Sequence, residues 1–234
     1  MKTLADAGEA WLLGRVASWF GGRGLTVGIG DDGAVYPVSG TQVAVADAMM
    51  ESIHFDTRFC PPSSVGRKLV AVNVSDIAAM GASPKTGLLT IGAPGSTPCE
   101  WIESLLSGIA AQANEYGMRI VGGDVTGSPG PIALSLTVLG ALEGGPLLRS
   151  SAQPGDTVYV SGQLGGAAAG LRILRGNQNL RTDAVVRFLT PVARVSEALM
   201  LSERCAVMDL SDGLLTDAER LARASGVRLE IALS

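Results

Sequence analysis

Six aspartates share one setting in this chain. Asp31 and Asp32 stand in the Gly-rich stretch "GIGDDG", Asp47 closes "VAVAD", Asp124 closes "GGD", and Asp209 and Asp212 frame "DLSDG". Each lies in a Gly-rich turn or just past an apolar run. Asp76 adds a carboxylate from a stretch of helical spacing, with Asn73 three residues earlier on the same predicted face, so that the pair can look into one site. In α/β folds, ligands bind at strand ends. Carboxylates gathered there without matching lysine or arginine repel one another unless divalent cations hold them. Oxygen donors without Cys or His select Mg2+, with Mn2+ as a substitute.

Taken singly, the same residues have plainer readings. Asp212 or Ser211 can cap the helix that follows, and Asp31, Asp32, Asp47 and Asp124 can be ordinary turn residues. "GIGDDG" also matches the dinucleotide fingerprint G-x-G-x-x-G, but the context fails. Only Leu25-Thr26-Val27 precedes it, and Pro37 and Gly40 fall where its helix should run. Two aspartates would also face a diphosphate with no counter-charge. Magnesium clusters of this kind usually hold polyphosphate, yet the chain has no G-x-x-x-x-G-K-[ST] loop and no kinase H-R-D or D-F-G set.

The elements that must position these residues follow from periodicity. The first twenty residues read as one amphipathic helix. Val43 to Ala46 reads as a strand ending on Asp47, and Ser64 to Met80 as a helix through Val65, Leu69, Val72 and Met80. Leu88 to Ile91 is a strand. "TPCE" at Thr97 to Glu100 reads as a capping box opening a helix that runs to about Tyr116. Met118 to Val121 is a strand ending on "GGD", and Ile132 to Leu142 is a long alternating strand that would be a hazardous bare edge in a monomer. A boundary before Ala152 divides the chain into residues 1–148 and 149–234. Beyond it the pattern predicts a strand in "AQPGDTVYVSG", helices over Gly165 to Leu174 and Val192 to Ser202, a strand entering "MDLSDG", a helix after it, and a last strand from Val227 to Ala232. Strands alternating with helices make this an α/β chain.

Composition narrows the function classes. The chain has 234 residues, 47% of them hydrophobic, and a net charge of −4 without clusters of Lys or Arg, which argues against nucleic acid and acidic membrane as partners. Its three cysteines are far apart and it has one histidine, His54, which argues against a zinc site, and a reducing cytoplasm is expected. No apolar run approaches the ~18 residues of a membrane span.

In order, "GIGDDGAV", "VADAMMESIHF", "KLVAVNVSDIAAMGASPKTGLLT", "GGDVT", "LLRSSAQPGDTVYVSG" and "MDLSDGLLTD" resemble the thiamine-monophosphate kinases, of the aminoimidazole ribonucleotide synthetase superfamily. The resemblance covers about Gly28 to the end. It implies an N-terminal α/β domain with a mixed sheet that forms a homodimer, followed by a second α/β domain, here incomplete. It also implies transfer of the γ-phosphoryl group of ATP to thiamine monophosphate with several Mg2+ ions. Carried over by position, it makes Asp32, Asp47, Asp76, Asp124, Asp209 and Asp212 metal ligands. Gly123, Asp124, Arg149 and Ser211 fall at ATP contacts, and His54 at a contact to thiamine monophosphate. Read alone, Arg149 would be a solvated loop arginine and His54 a packed residue beside Phe55. No residue acts as a general base, because the acceptor is already an ionised phosphate. Val45 and Ala46 replace hydroxyl residues of the family pattern, and the chain stops at Ser234 before an expected Gly-Gly-Glu-Asp segment. The other readings are a different ATP-using enzyme of the superfamily, of aminoimidazole ribonucleotide, selenophosphate or hydrogenase-maturation type, and a nucleotide-binding dimerisation module without turnover.

Overall fold

A layer of two helices on a four-stranded sheet forms the centre of the molecule, in a computed structural model that describes residues 2–21, 25–26, 28–29, 34–176, 182–201 and 203–231. Asp31 and Asp32, and with them the centre of the "GIGDDG" stretch, lie outside the described residues. The predicted first helix is two, α1 (Leu4–Ala7) and α2 (Glu9–Phe20), separated at Gly8. Thr3 caps α1 through a capping box with Asp6.

The sheet consists of β1 (Thr41–Met50), β2 (Ser83–Ala93), β3 (Arg119–Gly127) and β4 (Ala133–Leu142), in the order β1-β4-β2-β3. β4 runs antiparallel to both neighbours, and β2 and β3 are parallel, so the sheet is mixed. This corrects the expected bare edge: β4 is hydrogen-bonded on both sides, and the edges are β1 and β3. Strand lengths are also corrected. β1 pairs with β4 over ten residues, so Asp47 sits opposite Leu136 inside the strand, and Asp124 sits inside β3 opposite Thr90.

One face of the sheet is apolar. Leu134, Leu136 and Val138 point from β4 under α3 (Pro62–Ala79) and α4 (Cys99–Glu115) and are almost completely buried. α3 buries Val65, Leu69, Val70, Val74 and Ile77, and α4 buries Ile102, Leu105, Leu106 and Ile109. Each such side chain contributes roughly 1.5–3 kcal/mol relative to exposure. The two helices touch through glycines: a Cβ on Gly66 would lie 2.3 Å from the Leu105 carbonyl oxygen, and one on Gly108 2.0 Å from that of Ser63. The N-cap of α4 is Pro98, with no side-chain cap bond, so "TPCE" supplies no capping box.

Beyond residue 148 the described residues form helices: α5 (Gly166–Arg175), α6 (Asp183–Leu189), α7 (Val195–Leu199) and α8 (Leu214–Ser225). The strands predicted at 156–160, before "MDLSDG" and at 227–231 do not form; Val158, Tyr159 and Val160 are exposed and unpaired in any ladder. The predicted helix from Val192 shrinks to α7, and Leu148 makes one parallel bridge with Ala206. Cys60, Cys99 and Cys205 form no disulfide. Among the described residues no helix is long and apolar enough to cross a membrane.

Candidate active site

β1, α3 and the segment after Ala206 bring three carboxylates under one another's influence. Asp76 projects from the last turn of α3, Asp47 lies on the helix-facing side of β1, and Asp209 follows the bridge that ties residue 206 to residue 148. The carboxyl of Asp76 is pushed up to about 6, first by burial and then by the charges of Asp209 and Asp47, with Arg149 opposing. Asp209 is also raised, mainly by burial, with Arg149 again opposing and Asp217 and Asp47 adding to the rise. Burial is the larger cause at both acids, and the neighbouring carboxylates add to it.

Asn73 does not face that site. It is fully buried; its Oδ1 accepts the backbone N–H of Asp47 at 2.9 Å, and its Nδ2 donates to the Leu69 carbonyl at 2.9 Å. The amide is thus a strut from α3 to β1 that fixes where Asp47 stands. Arg149 is placed by its backbone: its carbonyl accepts from Ser225 Oγ at 2.6 Å, and that hydroxyl also receives the N–H of Ala152 at 3.1 Å.

Two expected ligands stand apart. Asp124 shares a face with Thr90 and Ser135, opposite to the face that carries Leu89, Leu136 and Asp47. It is also on the far edge strand, three strand steps or roughly 14 Å from β1. Gly123 beside it has φ of +149°, and an added Cβ would meet the Leu89 carbonyl oxygen at 1.7 Å, so packing alone demands glycine there. Asp212 is ion-paired with Arg220 at 2.5 Å, and Ser211 beside it is exposed. Among the described residues no three Asp, Glu, His or Cys side chains come close enough to ligate one ion together.

His54 occupies a tight, exposed turn. Its Nδ1 accepts the backbone N–H of Met50 at 3.0 Å, which leaves Nε2 as the nitrogen open to a further partner. The turn is held from several sides. Ser52 adopts φ of +68°, Glu51 accepts from Thr57 Oγ1 at 2.6 Å and from the Ile132 N–H at 3.1 Å, and Lys68 Nζ donates to the His54 carbonyl at 3.3 Å. That ammonium lies 4.0 Å from the centre of the Phe188 ring, a cation–π contact reaching from α3 to α6.

Sequence comparison places the chain. Residues 30–142 match the family described as AIR synthase related protein, N-terminal domain. Over 221 residues the chain is 38% identical to the thiamine-monophosphate kinase of Bacillus subtilis (strain 168), covering 90% of this chain and 68% of that relative. The chain belongs to the thiamine-monophosphate kinase family. Among solved structures of the family, the enzyme from Stenotrophomonas maltophilia K279a aligns with a TM-score of 0.80 at 36% identity, over 92% of this chain and 71% of that one. AaThiL complexed with AMPPCP and TMP aligns with a TM-score of 0.75 at 32% identity, over 97% of this chain and 73% of that one. The chain spans about two thirds of the length of the curated relatives it matches.

Sequence reasoning missed Asn73 as a strut, Lys68 as a link and Asp217 as a holder of the "DLSDG" loop. The signal for Asn73 was present, a polar amide among apolar residues at helical spacing; nothing in the local sequence marks Asp217 apart from an ordinary acid near a helix start.

Proposed function

We propose that this chain carries out ATP-dependent phosphorylation of thiamine monophosphate to thiamine diphosphate, with Asp47, Asp76 and Asp209 at the phosphate end of the site. The observation that carries the reading is the similarity along most of the chain to thiamine-monophosphate kinases, one of them solved with AMPPCP and TMP. The placing of Asp47, Asp76 and Asp209 within one another's electrostatic reach beside Arg149 supports the site. An all-oxygen set of this charge suits Mg2+, which takes one or two carboxylates per ion and fills its remaining positions with water and substrate phosphate oxygens. When bound, Mg2+ would supply neutralisation between two polyanions.

The chain's own residues do the rest. Arg149 offers a charge-assisted donor to phosphate. Asn73 keeps Asp47 in register with Asp76. His54 offers Nε2 to the second substrate, and the turn that holds it is fixed on both sides. A phosphate acceptor is ionised at neutral pH, so alignment of attacking and leaving oxygens is the main task. Ser211 and Asp212 are assigned to the nucleotide end by their place in the "DLSDG" motif beside Asp209, with Arg220 as the present partner of Asp212. Asp124 and Gly123, across the sheet, are left out of this group within one chain.

The reading divides the chain into a nucleotide-binding and dimerisation part, residues 1–148, and a second part, residues 149–234. Two copies would meet through the sheet face away from α3 and α4, where Ala44, Ala46, Ala48 and Leu88 are exposed; light scattering at tens of micromolar should give twice the chain mass.

Calorimetry of ATP with and without Mg2+, followed by a single-turnover assay for thiamine diphosphate, tests the function. Binding that requires Mg2+ and formation of thiamine diphosphate are expected. Equal ATP affinity with and without the cation would overturn the site.

A further inference from the structure

Three successive backbone N–H groups in the "DLSDG" loop converge on one oxygen. Ser211, Asp212 and Gly213 donate to Asp217 Oδ2 at 3.0, 2.9 and 3.2 Å. Its other oxygen, Oδ1, accepts from Arg220 Nη1 at 2.9 Å, and the same guanidinium nitrogen pairs with Asp212 Oδ2 at 2.5 Å. Asp217 is completely buried, at 0% exposure. An ionised carboxylate is costly to bury unless its oxygens are fully hydrogen-bonded, and here four donors meet that need.

Consecutive N–H groups at the start of a helix form a cradle for an anion, and in many nucleotide sites that anion is a phosphate. In this chain the cradle is filled from within, by a side chain reaching back from the first turns of α8. A phosphate therefore cannot use these three N–H groups. What the loop leaves exposed is the side chain of Ser211 and the carboxylate of Asp212, and Asp209 stands at its start. A loop that would otherwise attract anions is converted into one that shows oxygen ligands.

We propose that Asp217 is a positioning residue for the nucleotide end of the site: by occupying the N–H cradle it turns the 209–213 loop into a holder of cations, and through Arg220 it keeps the Asp212 carboxylate balanced until a cation takes it. The proposal rests on the reading that Mg2+–ATP binds at Asp209, Ser211 and Asp212. It differs from an ordinary helix cap in what it controls. A cap would change stability alone, whereas a positioning residue also changes affinity for Mg2+–ATP in protein that is still folded.

The experiment uses the 234-residue chain with Asp217→Ala, Asp217→Asn and Arg220→Gln, each measured by amide hydrogen exchange of the 209–213 region without ligand, by thermal midpoint, and by calorimetry with Mg2+–ATP well below that midpoint. Asp217→Ala should speed exchange at 211–213 and weaken Mg2+–ATP by about tenfold or more, the scale of losing hydrogen bonds to a charged group. Asp217→Asn keeps an acceptor oxygen and should recover part of both; it also keeps the test open if the alanine variant does not fold. Arg220→Gln should leave exchange at 211–213 near that of the parent while lowering the Mg2+ concentration at which ATP binds. A lower midpoint with unchanged Mg2+–ATP affinity would overturn the proposal, as would unchanged exchange in Asp217→Ala. If the parent chain itself binds no Mg2+–ATP, the underlying reading of the site fails before any variant is compared.

Discussion

The segment from 41 to 142 and the segment from 150 to 231 are held together in different ways. Every one of the largest completely buried side chains, from Val65 through Ile109 and Met118 to Leu136, belongs to the first segment. In the second, among the described residues, Val185, Ala193 and Ala198 are the buried apolar side chains, while Tyr159, Met200 and Leu215 are exposed at 85%, 79% and 81%. Polar devices add to its lighter packing: Thr182 caps α6, Ser225 joins residues 149 and 152 to α8, and Asp217 fills its cradle, while Ala193, Phe188, Leu189 and Val195 reach the core of the first segment. Apolar burial fixes position everywhere at once, but a polar tie fixes one loop. The carboxylate group lies where the two regimes meet, with Asp47 and Asp76 on the rigid side and Asp209 on the other.

The widest gap should appear between core and surface leucines. Leu106→Ala, in the completely buried face of α4, should cost about 3 kcal/mol in urea unfolding, and Leu215→Ala less than about 0.5 kcal/mol. Similar costs for the two would break the comparison. Next comes Gly108→Ala, whose new methyl must displace the Ser63 backbone; a loss of about 2 kcal/mol is expected, near the middle of the overpacking range.

A smaller, pH-dependent effect comes from Asp76. Its carboxyl titrates near 3.8 in the unfolded chain and at about 6 in the folded one. Below 3.8 both states are protonated and there is no penalty. Between 3.8 and 6 the unfolded chain gives up its proton first, so stability falls as pH rises, and above 6 the full penalty applies. The ceiling is roughly 3 kcal/mol, and screening at this half-open site reduces it to about 1 kcal/mol. Asp76→Asn should therefore stabilise the Mg2+-free protein at pH 8 by about that amount, with the gain vanishing by pH 3.5. A thermal midpoint shift independent of pH would show that the aspartate is not crowded. The smallest effect is at Glu219→Gln, which removes an exposed pair with Arg223 on α8; a change below about 0.5 kcal/mol is expected by the same unfolding assay.

Periodicity made α3 and β4 legible in the sequence, because each has a long apolar face with period 3.6 or 2. The capping box expected to open α4 does not form, and that helix stands for another reason, its buried face of Ile102, Leu105, Leu106 and Ile109. Of the acids expected together, Asp47, Asp76 and Asp209 lie within electrostatic reach of one another, while Asp47 and Asp124 sit elsewhere along their strands than expected. Asp47 and Asp124 follow apolar runs and read as strand ends, yet pairing continues past both. On β1 the open face carries Ala44, Ala46 and Ala48, residues too small to extend a hydrophobic pattern. Pairing decided the outcome in the opposite direction after residue 150. "TVYV" and "VRLEI" have strand-like composition, but β-propensity supplies no partner strand, and among the described residues neither forms a ladder. The cradle at Asp217 was illegible because an acid near a helix start is ordinary in sequence; only its reach back to three N–H groups sets it apart.

The paired glycines of α3 and α4 leave no clearance between two backbones. With Gly66 against Leu105 and Gly108 against Ser63, neither helix can slide or roll without collision. Asp76 is therefore mounted on the stiff part of the molecule, and Asn73, anchored in the same helix, extends that stiffness to Asp47. On the proposed reading, adjustment of the carboxylate spacing to a ligand would fall to the segment that carries Asp209, as one jaw of a vice moves against the other.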